Sequence, residues 1–376
     1  MNQDSNPRVM HVITGLGAGG AESMLTALAL AKMKQGAAPV IVSLTPGGPN
    51  VARLSNEGVV VHQLNVRRRP LSGIRALARL IAREQPDVVQ GWMYHANLAA
   101  SVAVWLARAR RRTKVYWGIR CSDMDVSDYG LILRVVIRAG AWFSKRPDAI
   151  IANSASGVSA HQKLGYTPHH FLLFDNGVDT QRFRPKLEDR AAVRAEFGLR
   201  ASDFVIAVAA RYDPMKDYPT LLSALEKTPW AKAIIMGADT HEKLPASPQI
   251  TALGRRTDVP RLLRAADILI SASAYGEGFS NAIVEAMATG LPVIATDVGD
   301  GRRIIGDTGR IVPPRDPGAI AAALHDLRDN DLKVLGAAAR NRVTEEFSLA
   351  RAVEIFDILH QQGPAAQELD PMRMDG

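Results

Sequence analysis

The sequence predicts an α/β protein of two domains, each built on a parallel sheet with helices on both faces. Short apolar segments alternate with amphipathic helical patterns along most of the chain, beginning with a strand at 9–14 and a helix at 21–34. This alternation is typical of parallel sheets with helical crossovers. The chain has 376 residues, which is enough for two domains of ordinary size. A second series of strands and helices follows residue 174, so we place the domain boundary near residue 175.

The composition is that of an ordinary globular protein, with 47% hydrophobic and 22% charged residues. The single cysteine, Cys121, excludes an intrachain disulfide and fits a reducing compartment. The polar N-terminus lacks the apolar core of a signal peptide, and no apolar run approaches the roughly 18 to 20 residues of a membrane span. We therefore expect a cytoplasmic protein, with peripheral contact to the inner face of the cell membrane as an open alternative.

The net charge is unevenly distributed along the chain. Residues 1–175 carry +11 and residues 176–376 carry −3, and the basic residues of the first half cluster at 67–69 and 108–114. A strongly basic half favours an anionic partner. An anionic phospholipid or a lipid-diphosphate acceptor fits this pattern. Nucleic acid is not expected, because no basic motif is interleaved with aromatic residues. Solvated surface arginine, with no partner at all, is the alternative.

The segment 131–146, LILRVVIRAGAWFSKR, predicts a basic amphipathic helix. Its apolar residues share one helical face, and Arg134, Arg138, Lys145 and Arg146 lie elsewhere. Such a helix can lie on an anionic bilayer. A helix packed on the core with a wet outer edge fits the same pattern, and both interpretations stay open.

A glycine-rich loop follows the first predicted strand. Gly15, Gly17 and Gly20 satisfy G-x-G-x-x-G, the pattern of a dinucleotide-binding turn. That turn also requires a carboxylate at the end of the second strand, about 20 residues further on, to hold a ribose hydroxyl. The residues there read TPGGPN and contain no carboxylate. An NAD-dependent oxidoreductase is therefore a minor alternative, and a tight turn without a ligand is another.

Several polar residues stand where predicted strands end, which is where parallel sheets bind ligands. His95 and Arg120 follow strands of the first half, and Arg211 and Lys216 follow the first strand of the second half. Arg211 and Lys216 are five residues apart across a proline-containing turn, so both can face one ligand. Two cations suit a departing diphosphate. Each of these residues also has a purely structural interpretation, as an ordinary residue of a surface loop or a strand end.

The stretch from Tyr275 to Gly299 carries two carboxylates eight residues apart. Glu277 lies between two glycines, and Ser280 or Asn281 can cap the helix that follows. Backbone amides at a helix N-terminus suit an anion, and a nearby carboxylate suits hydroxyl groups. Glu285 lies on an otherwise apolar helix face, which predicts a raised pKa. Both glutamates could instead be structural.

Together these segments resemble family 4 of the glycosyltransferases, a retaining group with the GT-B fold. Glu277 and Glu285 fall on the two positions of the Glu-x7-Glu signature, and the following GLPVIATDVG also matches. The GxGGAE loop resembles the glycine loop of the family's first domain, and the segments NGVD-x3-F at 176–183, R-x4-K at 211–216 and Gly254 to Val259 match further motifs.

The resemblance implies two Rossmann-like domains that face each other across a cleft. Residues 1–175 would form the acceptor-side domain and residues 176–345 the nucleotide-sugar domain. A helix at 346–362 would cross back to the first domain, and a disordered tail would follow at 363–376.

The resemblance also implies roles for the residues above. The catalytic group would comprise His95, Arg211, Lys216 and Glu277. The donor would be bound by Gly17, Gly19, Gly20, Gly254, Arg256, Gly278, Phe279, Ser280, Asn281 and Glu285. Glu22 and Arg120 would lie on the acceptor side. Neither a metal nor another cofactor is implied. The donor would be a sugar nucleotide, UDP-linked rather than GDP-linked, and the acceptor a lipid-linked compound or a saccharide. A sugar-nucleotide epimerase of the same fold is the alternative.

Overall fold

The structure is a computed structural model and describes residues 6–121 and 130–367. It divides into two compact units: residues up to Gly177 together with those from Leu349 onward form the first, and Val178–Ser348 form the second. The boundaries predicted at 175 and 345 lie within about three residues of this division. The predicted tail at 363–376 begins with a short 3-10 turn at Pro364–Gln367, and its remainder lies outside the described residues.

The first unit is built on a sheet of seven parallel strands. The strands are β1 Val9–Ile13, β2 Val40–Ser43, β3 Val60–Gln63, β4 Val88–Trp92, β5 Lys114–Ile119, β6 Ala149–Ala152 and β7 Phe171–Leu173. Their order is β3-β2-β1-β4-β5-β6-β7, so the direction of winding reverses between β1 and β4. The helices are α1 Gly20–Lys34, α2 Pro49–Asn56, α3 Pro70–Glu84, α4 Tyr94–Leu106, α5 Leu131–Phe143 and α6 Ala155–Lys163.

Helices cover both faces of this sheet because the strands are apolar on both sides. Val12 packs with α3, α4 and α5 on one face, whereas the next residue, Ile13, packs with α1 and α2 on the other. This alternation of side chains is the geometry of a strand. Strands buried on both faces read as continuous apolar runs, which is why they were recognisable in the sequence.

The second unit is built on six parallel strands in the order β10-β9-β8-β11-β12-β13. The strands are β8 Phe204–Ala209, β9 Ala231–Met236, β10 Ile250–Ala252, β11 Ile268–Ser271, β12 Val293–Thr296 and β13 Arg310–Val312. The helices are α7 Leu187–Glu196, α8 Tyr218–Glu226, α9 Thr240–Lys243, α10 Val259–Leu263, α11 Asn281–Ala288, α12 Gly301–Ile305, α13 Pro317–Asp329 and α14 Leu332–Glu346. Here the winding reverses between β8 and β11. The predicted fold class, α/β with two Rossmann-like domains, is confirmed.

The last helix, α15 Leu349–Gln362, belongs to the first unit and packs on α1. Lys32 of α1 forms an ion pair with Asp357, at 2.7 Å between Nζ and Oδ1. Phe356 stacks on Trp92 of β4 with ring centroids 6.1 Å apart, and His360 lies 2.8 Å from the Gln90 amide oxygen. The C-terminal helix is therefore part of the core of the first unit. Among the described residues, no helix is both long and apolar enough to cross a bilayer.

Beneath α15, a buried histidine makes the first unit sensitive to acid. His11 Nδ1 accepts a hydrogen bond from Trp92 Nε1 at 3.2 Å, and burial lowers the pKa of His11 to about 3. The unfolded chain, with a histidine pKa near 6.5, therefore takes up a proton first as the pH falls. The pKa of the neighbouring His360 is lowered too, by burial and then by the charges of His11 and Lys32.

We expect the free energy of unfolding to fall between about pH 6.5 and pH 3, with His11 contributing about 1.4 kcal/mol for each pH unit. The measurement is chemical denaturation at pH 7 and pH 5. In the variant His11→Gln, which keeps an acceptor for Trp92, the dependence on pH should be weaker. The exposed His169 offers a matched control, since His169→Gln should keep the wild-type dependence. If the free energy of unfolding changes equally between pH 7 and pH 5 in all three proteins, the assignment to His11 is contradicted.

Candidate active site

The two predicted groups of polar residues in the second unit meet where the strand order reverses. Arg211 and Lys216 follow β8, and Glu277 follows β11, its neighbour in the sheet. Because the strands are parallel, their carboxyl ends lie at one edge, and such a reversal point leaves a crevice for ligands. The sequence therefore placed these residues at the correct edge of the sheet.

Lys216 and Glu277 form an ion pair across this reversal point, between the ammonium group and Oε1. Both side chains are largely buried, with 17% and 13% of their surface exposed. Ser273 donates a hydrogen bond to the same oxygen at 2.6 Å, and the Ala274 amide donates to the Met215 carbonyl at 2.8 Å. The two loops are thus joined by side chains and by backbone. An anionic ligand at Lys216 would compete with Glu277 for the ammonium group.

Arg211 reaches the same region with a different partner, Asp213, which the sequence analysis did not single out. Its guanidinium donates to the Asp213 carboxylate at 2.9 Å, and that carboxylate also accepts from the Met215 amide at 3.0 Å. Burial alone would raise the pKa of Asp213, but the Met215 amide and the cations of Arg211 and Lys216 outweigh it, and the pKa lies below its usual value. Asp213 therefore stays ionised and orients Arg211. An Asp directly before a proline is a common turn residue, which is the signal that could have identified it.

The glycine loop around Glu277 is braced by the loop after β12. Gly299 has φ +62°, and a Cβ atom added there would lie 2.4 Å from the Glu277 carbonyl oxygen. The Asp300 amide donates to the Gly278 carbonyl at 3.2 Å. Gly276 also has a positive φ, +75°. The close approach between Gly299 and Glu277 fixes the position of the glycine loop relative to the sheet. The sequence analysis did not anticipate this approach.

Helix α11 begins directly after this loop, with Ser280 at the N-cap position. The Ser280 hydroxyl makes no capping hydrogen bond, contrary to the expectation that it could cap the helix. Phe279 is buried and packs against Phe347, with ring centroids 5.5 Å apart. The start of the helix is thus anchored by an aromatic side chain.

Glu285 lies one turn further along α11, among apolar residues. Within the described part of the chain its carboxyl group has no hydrogen-bond or ion-pair partner. Loss of solvent raises its pKa to about 7, and the positive charge of Arg182 opposes this rise. The raised pKa agrees with the expectation from the apolar helix face. An uncommitted carboxyl that exchanges its proton near neutral pH can readily accept hydrogen bonds from ligand hydroxyl groups.

Gly254 and Arg256 follow β10 at the same edge of the sheet. Gly254 has φ +63°, its carbonyl accepts from the Gly237 amide at 2.8 Å, and its amide donates to Thr240 Oγ1 at 3.2 Å. Arg256 is held by Asp258 through two hydrogen bonds of 2.8 Å each. The guanidinium group is therefore oriented by a neighbour, Asp258, that the sequence analysis did not name.

In the first unit, the glycine loop between β1 and α1 is supported from the side by the loop after β2. The Asn50 amide side chain donates to the Gly17 carbonyl, and its backbone amide donates to Leu16 at 3.2 Å. The Glu22 carboxylate folds back over the loop, because a Cβ atom on Gly19 would lie 2.4 Å from its Oε2. The Glu22 carboxylate thus lies over Gly19, near the N-terminus of α1.

His95 and Arg120 follow β4 and β5 in the first unit. His95 is exposed on the first turn of α4, and partial desolvation lowers its pKa, so its imidazole is neutral at neutral pH. Arg120 lies 4.7 Å above the ring of Trp92 and donates to the Asn176 side chain. Burial lowers its pKa to about 9, opposed by the charge of Asp175, and it remains a cation at neutral pH. Its Nε and Nη2 atoms are buried, and they have no hydrogen-bond partner among residues 6–121 and 130–367.

No group of three or more His, Cys, Asp or Glu side chains suited to a metal ion occurs within residues 6–121 and 130–367.

The contact between Gly299 and Glu277 can be tested by adding one methyl group. We expect Gly299→Ala to lower the free energy of unfolding of the second unit by about 3 kcal/mol, because it combines a left-handed φ with a steric clash. Gly198→Ala is the matched control, since Gly198 has φ +64° and nothing within 4 Å of an added Cβ atom. The Gly198→Ala substitution should lower the free energy of unfolding by about 1 kcal/mol. Equal shifts in the denaturation midpoints of the two variants would show that the close approach at Gly299 is absent.

Comparisons with known proteins agree with this fold. The Anabaena protein Alr3699/HepE, solved in complex with UDP and glucose, has a TM-score of 0.79 and 19% identity, covering 93% of this chain and 98% of that one. A sucrose-phosphate synthase from Thermosynechococcus elongatus has a TM-score of 0.76 and 18% identity, covering 96% of this chain and 100% of that one. At these identities the likeness shows the fold alone.

Sequence comparisons cover shorter stretches. The chain is 34% identical over 163 residues to a D-inositol 3-phosphate glycosyltransferase of Mycobacteroides abscessus, a match of 39% of this chain and 36% of the relative. It is 33% identical over 187 residues to the enzyme of the same name from Mycobacterium bovis, covering 45% and 38%. These matches thus span little more than a third of the length of either curated relative.

Family models match both halves of the chain. Residues 18–182 match the model described as Glycosyltransferase Family 4, and residues 203–330 match the model described as Glycosyl transferases group 1. The resemblance drawn from the motifs is therefore confirmed, and the chain belongs to the group 1 glycosyltransferases of family 4.

Proposed function

We propose that this protein is a retaining glycosyltransferase that moves a hexose-type sugar from a nucleoside diphosphate donor to a lipid-linked or saccharide acceptor. A UDP-sugar is favoured over a GDP-sugar. The observation that carries the proposal is the arrangement at the β8–β11 reversal point: Arg211 and Lys216 follow β8, the N-terminus of α11 follows the neighbouring strand β11, and Glu285 lies one turn into α11. The mycobacterial relatives, named D-inositol 3-phosphate glycosyltransferases, support glycosyl transfer, and the UDP bound to the Anabaena protein supports a UDP-linked donor.

Glu285 is assigned to the ribose of the donor. A ribose carries neighbouring hydroxyl groups, and an unpaired carboxylate can accept a hydrogen bond from each of them. The carboxyl group has no partner of its own among the described residues, and its pKa of about 7 shows that its charge is poorly solvated. Donor hydroxyls would supply the missing hydrogen bonds and favour the ionised form.

The diphosphate is assigned to Lys216, Arg211 and the amides of Gly278, Phe279, Ser280 and Asn281. The ammonium group of Lys216 is neutralised by Glu277 in the unliganded protein, so the diphosphate would share it or take it over. Glu277 would then turn toward the hexose hydroxyls, with Ser273 still holding Oε1. We also assign the nucleobase to the backbone after Gly254, with Arg256 held over it by Asp258.

The first domain contributes His95, the loop of Gly17, Gly19 and Gly20, and, on the acceptor side, Glu22 and Arg120. The neutral imidazole of His95 can donate or accept a hydrogen bond with a sugar hydroxyl. The buried cation of Arg120 has two nitrogens without partners in the described part of the chain and suits an anionic group of the acceptor.

The proposed reaction is a same-face substitution at the anomeric carbon. The bond from that carbon to the diphosphate oxygen breaks, and the diphosphate leaves with the electron pair. The acceptor oxygen forms the new bond on the same face, and an oxygen of the departing phosphate takes the acceptor proton. Lys216, Arg211 and the amides of α11 stabilise the charge that develops on the diphosphate. These groups supply what a divalent ion supplies elsewhere, so the proposal includes no metal. A cytoplasmic location, with peripheral contact to the inner face of the cell membrane, is part of the proposal.

UDP binding should become tighter as the pH rises, because binding favours the ionised form of Glu285. Between pH 6 and pH 8 we expect the affinity to rise by up to about tenfold more in the wild-type protein than in Glu285→Gln. Titration calorimetry in two buffers of different ionisation enthalpy gives the affinity and the protons released together. The ionisation of UDP itself affects both proteins equally and cancels in the comparison. The same pH dependence in both proteins would remove Glu285 from the donor site.

Lys216→Met should lower kcat on the order of 100-fold, because the cation acts on charge that develops only as the diphosphate leaves. The measurement is release of UDP from UDP-glucose, with and without an added acceptor alcohol. Lys232→Met is the control, since Lys232 pairs with Asp203 at 2.8 Å at the opposite edge of the sheet and should turn over normally. An unchanged rate in Lys216→Met would contradict the assignment, and an epimerised sugar nucleotide formed without acceptor would identify an epimerase.

A further inference from the structure

The outer surface of α4 and α5 in the first unit is apolar, although it is exposed. Seven large apolar side chains of these two helices have 44% to 82% of their surface exposed. They are Val102, Trp105 and Leu106 of α4, and Leu131, Ile132, Val135 and Trp142 of α5. We call this set the α4–α5 surface. Large exposed apolar side chains grouped on two helices that pack together are typical of an interaction site.

Helix α5 shows that these residues are not an extension of the core. Leu131, Val135, Arg138 and Trp142 are spaced at i, i+4, i+7 and i+11, which places them in one outward stripe. The opposite side of the helix is the one that packs inward, through Ile137 and Gly140, which are buried. The outer edge of α5, which was expected to be hydrated, is therefore apolar as well. A helix with two apolar faces needs a second partner, which covers the outward face.

The topology aligns the two tryptophans. Helices α4 and α5 follow neighbouring parallel strands, so they run in the same direction, and they pack against each other. Trp105 and Trp142 are each the twelfth residue of their helix, and therefore lie at the same end of the pair. Their exposed fractions are 71% and 82%. Tryptophan prefers the boundary between water and lipid, where its ring is buried and its N–H is solvated.

The loops that follow the two tryptophans are basic. Arg108, Arg111 and Arg112 follow α4, and Lys145 and Arg146 follow α5. All five are exposed, and none of them forms an ion pair within the part of the chain that the structure describes. Arg110 differs, because it is held by Asp148 at 3.0 Å. Residues 67–146 as a whole contain 16 Lys and Arg and five acidic residues, a net charge of +11, so this part of the chain favours an anionic partner.

We propose that the α4–α5 surface docks on an anionic phospholipid bilayer. Exposed tryptophans inserted at the interface, with unpaired cations around them, match the chemistry of such a bilayer. A second copy of the chain would bring like charges together, and a nucleic acid would leave the apolar stripe without a partner. The inference deepens the proposed function, because a lipid-linked acceptor lies in a membrane, but docking itself needs no sugar transfer.

The test is sedimentation of the full chain with vesicles of phosphatidylcholine alone or mixed with phosphatidylglycerol. Binding should require phosphatidylglycerol and weaken as salt is added, because charges screen over about 8 Å at physiological salt. The double variant Trp105→Ser/Trp142→Ser should bind at least about tenfold more weakly. Arg111→Ser/Arg112→Ser should lose about fivefold for each cation removed, and leaves Arg110 and its bond to Asp148 in place.

The matched control is Leu187→Ser/Val334→Ser, which removes two apolar side chains of the second unit that are 82% and 66% exposed. This variant should bind vesicles like the wild type. Equal binding by the tryptophan variant overturns the proposal. So does a concentration-dependent dimer that the tryptophan variant abolishes, or a duplex oligonucleotide that binds wild type and tryptophan variant alike.

Thermal stabilisation by UDP, measured on every variant, separates this inference from the proposed function. The stabilisation by UDP should be unchanged in every variant, and this result also shows that the variants are folded. Loss of vesicle binding with UDP stabilisation intact is the result expected of the tryptophan variant. If the wild type does not bind vesicles but is stabilised by UDP, bilayer docking is rejected and the proposed function stands. If it binds vesicles but is not stabilised by UDP, the proposed function is rejected and docking stands.

Discussion

The ion pair between Lys216 and Glu277 is the interaction on which the candidate site depends. The parallel sheet brings the ends of β8 and β11 to one edge, but it does not determine how the loops beyond them are arranged. The ion pair, the Ser273 hydroxyl and the backbone hydrogen bond from Ala274 to Met215 join those loops. A largely buried ion pair is costly to break from one side only, because the remaining charge is left without a partner. The two loops therefore hold one arrangement in the absence of a ligand.

The sequence predicted the strands and the edge at which the site lies, because both depend on local patterns. Buried strands read as short apolar runs, and polar residues directly after them are brought together by the parallel sheet. Short helices such as α2 and α7 were not predicted, since eight to ten residues give too little periodicity. Helix α3 begins at Pro70, because proline is favourable at the first helical position.

The partners of the predicted site residues were harder to infer. Asp213 and Asp258 orient Arg211 and Arg256 from only two residues away, yet nothing in the spacing alone distinguishes them from solvated carboxylates. Gly299 is required by an approach to Glu277, 22 residues earlier in the chain, that only the folded backbone creates. The same holds for α5. Its inward face follows from periodicity, whereas the apolar character of its outward face has meaning only once the structure shows that nothing covers it.

Two charged residues of the second unit, Lys216 and Glu285, each suit a group that a sugar nucleotide carries. The charge of Lys216 is neutralised by Glu277, whereas the carboxyl group of Glu285 is about half protonated at neutral pH, since its pKa is about 7. A sugar nucleotide carries anionic phosphates and neutral hydroxyls, which are the groups these two residues need. Its phosphates would draw Lys216 away from Glu277, and its hydroxyls would stabilise the charge of Glu285. Binding would then release Glu277 from Lys216 while Ser273 still holds Oε1, and the carboxylate would turn toward the sugar hydroxyls of the donor.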